Sequence, residues 1–592
     1  MLRRGLVLRG VGVLRHSRYP ATQKAHRRSS TYHPPPSSSE HVDILIVGSG
    51  AGALTAALRA RSQNLRVAVI EKQPTVGGAS AISGGGLWIP CNPISNVKDS
   101  KEDALAYFDE AVGDAGPASS MVRRRAYVDN GLEMIRFLQD QGFRFHFSKG
   151  YPDYYPRMKG AMGKGGGRTI ETEVFNKKKL SKKWQDALPP PNSPVAFYTN
   201  DAAVITRMSS SLQAFARSTR AVIPLIIKMI LGQKPTSMGH GLVAQLLYLN
   251  TKDSLPTDIR LSTSLDSLTT SPSGRVTGAK VETPSGEHSI IASRGVILAA
   301  GGFAHNRALR EKHLPSPAST AWTLSPKGDT GDAVLAGVKL GAATALMDDA
   351  WWGPTIFDVV TGKPHFALME RCRPHCIIVD SAGKRFMNEA QSYTDAGHDQ
   401  YERNKVVKAL PAWLIMDSNH RNRYMLGTSL FARQIPRRAI EEGKIFAAES
   451  VGALAAKIGV DVKGLEGTVQ RYNEMCKSGV DEEFGKGGNA YDNFFGDPHA
   501  GGVNPNMGPL NRAPFYAIEV WPGDLGTKGG LLTDEHQRVL KNDGGFIPGL
   551  YAIGNTAASI MGRTYLGAGS TLGPAMTHGF IAVNHVVGNG QI

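Results

Sequence analysis

The sequence predicts an α/β fold, with one domain built on a parallel sheet and split in sequence, and an α+β domain inserted into it. Three observations predict this. Residues 42–71 set out a complete strand, glycine turn, helix and strand. Apolar strand runs that end in glycine return at residues 295–303 and 549–555, as expected of strands buried on both faces. Between them, from about 347 to 515, the chain is richer in aromatics and carries several helical patterns, then reverts.

Within VDILIVGSGAGALTAALRARSQNLRVAVIE, residues 44–47 are a strand and Gly48, Gly50 and Ala53 make a G-x-G-x-x-A turn. A helix follows over residues 54–61, with Leu54, Ala57 and Leu58 on one face, and residues 67–70 are the second strand. Gly48 permits the tight turn, Gly50 lets the backbone approach a pyrophosphate, and the small Ala53 lets the helix pack on the sheet. The helix start then aims unpaired N–H groups at the phosphates. Glu71 ends the unit where a carboxylate accepts from an adenosine ribose, and its charge argues against a 2′-phosphate. These features predict a dinucleotide site.

Residues 1–39 hold seven Arg, one Lys and no Asp or Glu, the composition of an organelle transit peptide, and we read it as mitochondrial. Its apolar runs are too short and too often broken by arginine to span a membrane. Three consecutive prolines near its end read as a linker. The leader carries eight of the +17 formal charges, so +9 remains. That remainder is spread without a Lys/Arg stripe interleaved with aromatics, which argues against nucleic acid. With 592 residues and 41% hydrophobic content, the chain can bury two or three cores. Cys91, Cys372, Cys376 and Cys476 are too few and too scattered to staple them, which suits a reducing compartment. Cys372 and Cys376 flank His375, but no second pair accompanies them, so they read as core thiols and no metal site is expected.

A second glycine passage, GGASAISGGGLWIP, follows Glu71 directly and reads as a second cofactor contact. Residues 121–141 read as an amphipathic helix, followed by the polar, aromatic run 150–156. Residues 177–235 are a helical excursion, opening with KKKLSKK and containing the apolar run AVIPLIIKMIL. Eleven residues broken by Pro224 and Lys228 cannot cross a bilayer. The run either packs on the protein's own body or docks on a membrane that holds a greasy substrate. Residues 276–291 read as a hairpin turning at 284–286, and a last helix runs over 573–587. The expected division is a leader at 1–39, the cofactor domain at 40–346 and again at 516–592, and the inserted domain at 347–515.

Taken together, VGSGAGALTAA, IEK, GGASAISGGGLWIP, VILAAGGF, GDLGTKGGL, GLYAIGN and TYLGAGSTLGPAMTHG resemble flavoproteins of the fumarate reductase superfamily, and within it the 3-ketosteroid Δ1-dehydrogenases. The resemblance covers almost everything after His41. It implies non-covalent FAD, extended across a Rossmann-like domain, with a smaller catalytic domain capping its ring. By it the cofactor contacts are Gly48, Gly50, Ala51 and Ala53, then Glu71 and Lys72. Gly78, Ala79, Ser80, Ser83, Gly85 and Gly86 follow from the second glycine passage. Ala300, Gly301, Gly554, Asn555, Thr571 and Leu572 complete the set.

The implied chemistry removes hydrogens from C1 and C2 of a 3-ketosteroid, an apolar substrate. The ketone acidifies C2, so the site needs an electrophile on oxygen, a base for the proton, and a hydride acceptor. By resemblance, Tyr565 and the Gly569 N–H hold the ketone oxygen, Tyr393 is the base and Tyr154 supports it. Tyr151 and Tyr155 compete for Tyr154's place. The start of the last helix would stabilise negative charge on the reduced ring. Leu566 stands where family members commonly carry proline. No motif names the electron acceptor.

Three rival functions remain. A fumarate reductase or succinate dehydrogenase flavoprotein needs converging Arg and His for two carboxylates, and the succinate dehydrogenase type attaches flavin to a histidine near the second glycine loop. Residues 75–88 contain none. A ketosteroid oxidoreductase acting at another ring position is a nearer relative. A flavin-binding electron-transfer subunit without chemistry of its own is the third, and the intact Tyr393, Tyr565 and Gly569 speak against it.

Overall fold

The structure is a computed structural model and describes residues 40–588 except 164, 192–194, 430, 431 and 434. The leader with its expected mitochondrial signal lies outside the described residues.

The larger sheet has eight strands. Its main path runs Arg538–Leu540, Phe546–Ala552, Gly286–Leu298, Glu40–Val47, Val67–Ile70, Asp258–Arg260. The first of the five contacts along that path is antiparallel and the other four are parallel. Ile44, Ile46, Val67 and Val69 pack into one core together with helices Ala51–Ser62 and Leu572–Gly588. Leu45, Val47, Ala68 and Ile70 pack into another on the opposite face. Both faces are therefore covered, which is why these strands read as unbroken apolar runs.

Glu40–Val47 lies between a strand that follows it closely and one that comes more than two hundred residues later, so the connections leave it in opposite directions. Such a switch point opens a crevice at the carboxyl ends of the strands. The register brings those ends level: Val47 pairs with both Ile70 and Leu298, and Leu298 pairs with Ala552. The loops starting at Gly48, Glu71, Ala299 and Ile553 thus open on one edge.

Two elements differ from expectation. The hairpin and the mid-chain strand are one continuous strand, Gly286–Leu298, antiparallel to Val276–Thr283 in its first half and parallel to Glu40–Val47 over most of its length. A register shift between Val42 and Ile44 lets one strand serve both partners. The return to the first sheet also comes later than residue 516. Phe515–Thr527 is the central strand of the second, six-stranded sheet, pairing with Ala350–Phe357, Ala412–Met416 and Phe446–Ala448. Its alternating burial suits an antiparallel strand, a period obscured in the sequence by Pro522 and Gly523.

Helix Tyr393–Asn404 lies on this second sheet, so close that a Cβ on Gly397 would stand 2.3 Å from Trp352 Cβ. The glycine sets where the helix start falls. Residues 177–235 leave and rejoin the body at a short ladder, where Phe175–Asn176 pairs with Pro235–Thr236.

Candidate active site

One cavity of about 1820 Å³ runs along the strand edge and into the space beside the second sheet. Small-ligand pockets are typically 300 to ~1,000 Å³, so this one has room for a cofactor and a substrate together. Every cofactor contact and every site tyrosine expected from the sequence lines it, as does Gly569.

At the cofactor end the turn braces itself before any ligand arrives. Ser49 donates to Glu71 Oε2 from its Oγ at 2.7 Å and its N–H at 3.2 Å, and the Gln73 N–H donates to Oε1 at 2.9 Å. The Gly77 N–H donates to Ser49 Oγ and the Ala51 N–H to Ser80 Oγ, which ties the two glycine loops together. Glu71 therefore orients the turn as well as facing the cavity. Lys72 pairs with Asp332 at 2.6 Å.

Sequence reasoning misses Asp329. It is fully buried in the cavity wall, and its Oδ2 has no hydrogen-bond partner among the described residues. Burial pushes its carboxyl up to about 8, with Lys72 opposing. The signal was findable, since Lys327-Gly328-Asp329-Thr330-Gly331-Asp332 has the composition of a turn that presents carboxylates.

At the other end, Tyr154, Tyr393 and Tyr565 are 4%, 4% and 5% exposed, so their phenols are buried in the cavity wall and do not lie on the surface. Their rings lie 4.9 to 5.4 Å apart. Tyr154 OH donates to Tyr393 OH at 3.3 Å, and Tyr151 OH stands 3.0 Å from Tyr154 OH. Of the three competing tyrosines, Tyr154 is the one that meets Tyr393. Tyr155 turns the other way and donates to Asp395 Oδ1 at 3.0 Å. Phe366 packs edge-on against Tyr393, and Trp351 edge-on against Tyr565.

Each tyrosine is held from a different element. Tyr393 begins its helix. The turn before it is pinned by Arg371, which donates to the carbonyls of Glu389 and Gln391, and by Arg385, which pairs with Glu389 and Asp481. The neighbour of Tyr154, Asp153, accepts from Trp88 Nε1 at 2.8 Å and pairs with buried Arg168 at 2.7 Å. Leu566 O accepts from the Tyr154 N–H at 2.9 Å and from Tyr107 OH at 2.8 Å. The residue in the unusual proline position thus joins the two loops by its backbone, which any side chain would permit.

Burial pushes the Tyr151, Tyr154 and Tyr393 phenols well above their ordinary range, and like-charged neighbouring phenolates add to this for Tyr393. The Tyr565 phenol is also raised by burial, but the Tyr393 and Thr571 hydroxyls and the Gly569 N–H oppose the rise. No arginine lines the cavity among the described residues. The start of helix Leu572–Gly588 faces it, placing a partial positive charge there.

Residues 43–572 match the FAD binding domain family. A 3-oxosteroid 1-dehydrogenase of Mycobacterium tuberculosis (strain ATCC 25618 / H37Rv) is 40% identical over 566 residues, which is 92% of this chain and 98% of that protein. A 4-oxocyclohexanecarboxylate 2-dehydrogenase of Sinomonas cyclohexanicum is 35% identical over 570 residues, 92% of this chain and 93% of the relative. The crystal structure of a 3-ketosteroid delta1-dehydrogenase from Sterolibacterium denitrificans, in complex with 1,4-androstadiene-3,17-dione, matches with a TM-score of 0.87 at 36% identity, covering 93% of this chain and 100% of that one.

The cofactor is FAD, and the residues present fit it. Gly48 has φ +104°, and a Cβ there would stand 2.3 Å from Ala299 O. A Cβ on Gly301 would stand 2.4 Å from Asp329 Oδ1. The unpartnered Asp329 Oδ2 faces the cavity, where a ribose hydroxyl can pair with it. Gly48→Ala is therefore expected to yield protein that purifies colourless, its flavin absorbance lost. A yellow protein with full flavin content would show that the turn tolerates the methyl group.

Proposed function

The chain belongs to the 3-oxosteroid 1-dehydrogenase family of FAD-binding oxidoreductases, and from that premise we propose that it dehydrogenates a 3-ketosteroid between C1 and C2. The observation that carries this reading is the meeting of Tyr154, Tyr393 and Tyr565 in a buried cavity that also contains the cofactor cradle, with no arginine among the described residues of its lining. Neutral donors and aromatic walls suit a hydrophobic ketone. Among the described residues no arginine stands beside the three tyrosines to pair with two carboxylates.

In this reading Tyr565 OH and the Gly569 N–H donate to the ketone oxygen, where negative charge develops as C2 loses its proton. Burial keeps the Tyr565 phenol protonated at neutral pH, as a donor must be. Tyr393 takes the C2 proton as its phenolate and becomes the neutral phenol. Its pKa, raised by burial, keeps that phenolate a minor form at neutral pH, and the captured ketone, by acidifying C2, lets the minor form suffice. Tyr154 OH, already donating to Tyr393, favours the phenolate, with Tyr151 OH beyond it. FAD, when bound, supplies the acceptor for the hydride that leaves C1.

Tyr155 and Asp395 brace this arrangement. The Tyr565 N–H donates to Tyr155 OH at 3.4 Å, and that hydroxyl donates to Asp395, two residues beyond Tyr393. One carboxyl therefore holds both halves of the site. Burial pushes it up to about 6, with the Tyr155 hydroxyl opposing. As pH rises through that value the ionised carboxyl takes the hydroxyl more strongly. The rate of flavin reduction is expected to climb more steeply between about pH 5 and 7 than it does in Asp395→Asn at equal flavin content, the difference being the titration of this carboxyl. The same shift acts against folding. Between the ordinary value of 3.8 and about 6 the folded state holds the extra proton, so stability falls as pH rises and Asp395→Asn removes that slope.

The functional test is anaerobic titration of the FAD protein with 3-ketosteroids, 4-oxocyclohexanecarboxylate, succinate and fumarate. Bleaching by ketosteroids with formation of the 1,2-double bond supports the reading. Bleaching by succinate alone, or a double bond at another ring position, would overturn it.

The apolar, exposed helix Leu212–Ile230 extends the reading to peripheral membrane contact, which would bring the enzyme to a poorly soluble substrate.

A further inference from the structure

Ser211 caps the helix Leu212–Ile230, its Oγ accepting from the Ala214 N–H. Only Ala214, Ser218 and Leu225 are buried, a stripe one residue wide. The rest of a helix lying on a globular protein should be polar. Here Leu212 is 89% exposed, Ile227 49%, Met229 43%, Ile230 78% and Leu231 73%. These side chains extend over about 28 Å of helix, a far larger apolar surface than scattered surface residues make. No helix among the described residues is long and apolar enough to cross a membrane, so this one can only lie on a surface.

The chain that forms and flanks the helix carries charges of one sign. Residues 202–252 contain six Lys and Arg and no Asp or Glu. The KKKLSKK run is brought to the helix's C-terminal end. The Lys177 N–H donates to Lys234 O at 2.9 Å, and Lys178 Nζ lies 3.5 Å from where a Gly232 Cβ would stand. Lys177, Lys178, Lys228 and Lys234 thus gather around the exposed Ile230 and Leu231. A second copy of the chain would bring these ammonium groups together at the tip. A bilayer with anionic headgroups over hydrocarbon complements both features.

The inner side of the helix points the other way. Phe215, Ser218, Val222 and Ile226 line the cavity that holds Tyr154 and Tyr393. We propose that Leu212–Ile230 docks on an anionic phospholipid bilayer and that the apolar substrate passes from the lipid along this helix into the cavity. The route rests on the ketosteroid reading above, whereas the docking stands on the exposed face and its lysines.

The test uses the FAD-loaded protein and vesicles of phosphatidylcholine, alone or mixed with phosphatidylglycerol. The protein is expected to sediment with the mixed vesicles, and to be released by raised salt and from phosphatidylcholine alone. Ile227→Asp combined with Ile230→Asp should weaken binding by roughly tenfold or more. Neither residue lines the cavity, so the pair should bleach normally with ketosteroid in free solution. It should slow by a similar factor when the steroid is presented in vesicles. Wild-type protein remaining in the supernatant, or equal binding by the double variant, would overturn the docking. Exposed faces covered instead by self-association would overturn it too, seen as a dimer that the double variant dissociates. Equal vesicle-fed rates would overturn the route. If ketosteroids never bleach the flavin while the vesicles still bind, the functional reading falls and the docking stands.

Discussion

Tyr393→Phe is expected to keep its FAD and its fold while anaerobic flavin reduction by a 3-ketosteroid slows by about a hundredfold or more, the usual scale for an acid–base group. The phenyl ring occupies the same space, so its edge contact with Phe366 at 5.0 Å and its packing with Tyr565 at 4.9 Å persist. Only the oxygen is lost, and with it one of the two hydroxyl partners of Tyr154 OH. The pH profile makes the test specific. Because the Tyr393 phenol is raised by burial, the wild-type rate should increase as pH rises above neutrality, and this alkaline limb should vanish in the variant. Stopped-flow flavin bleaching measures both quantities. A wild-type rate in Tyr393→Phe would remove the residue from the chemistry, and a normal alkaline limb with a slow rate would assign the base to another group.

Gly569→Ala is expected to abolish turnover nearly completely and to lower stability as well. Gly569 has φ +98°, and a Cβ there would stand 2.3 Å from both Gly86 C and Gly86 O and 2.4 Å from Leu87 N. All three are backbone atoms of the second glycine loop, so no flexible side chain can yield. The loop carrying the Gly569 N–H must move away from the cofactor cradle. Strain and overpacking together cost about 2–6 kcal/mol. Thermal melting and flavin content would register the shift, and steady-state oxidation of a ketosteroid the lost turnover. Gly467→Ala is the control. It lies in helix Val462–Ser478 with nothing within 4 Å of its Cβ position, and it should be neutral or stabilise by about 0.5–1 kcal/mol. Full turnover in Gly569→Ala would show that the loop accommodates the methyl group with its N–H still in place.

How much of this was legible varies by residue. Gly48, Gly50, Ala53 and Glu71 could be read because a glycine turn between two apolar strands has one mechanical purpose and a fixed spacing. Tyr393, Tyr565 and Gly569 were legible through resemblance alone, since a phenol in a sequence of 17 tyrosines announces nothing by itself. The choice among Tyr151, Tyr154 and Tyr155 could not be made in the sequence, because three tyrosines in five residues differ only in which way an irregular segment turns them. Asp329 and Asp395 escaped because their unusual environments are made of distant chain: Gly301 and Lys72 for one, Tyr155 for the other.

By itself the sequence determined that a dinucleotide is held at the carboxyl end of a parallel sheet, because strand period, glycine spacing and the terminal carboxylate are local properties of some thirty consecutive residues. The folded chain alone decided that Tyr154, Tyr393 and Tyr565, spread over more than four hundred residues, meet in one buried pocket. It also decided that the apolar run at 221–231 stays on the surface and does not pack inside. The reason is the same in both cases. Which side chains meet, and which face is left without a partner, depends on long-range register and on the volume remaining once the cores have closed, and neither quantity is stored in any short stretch of chain.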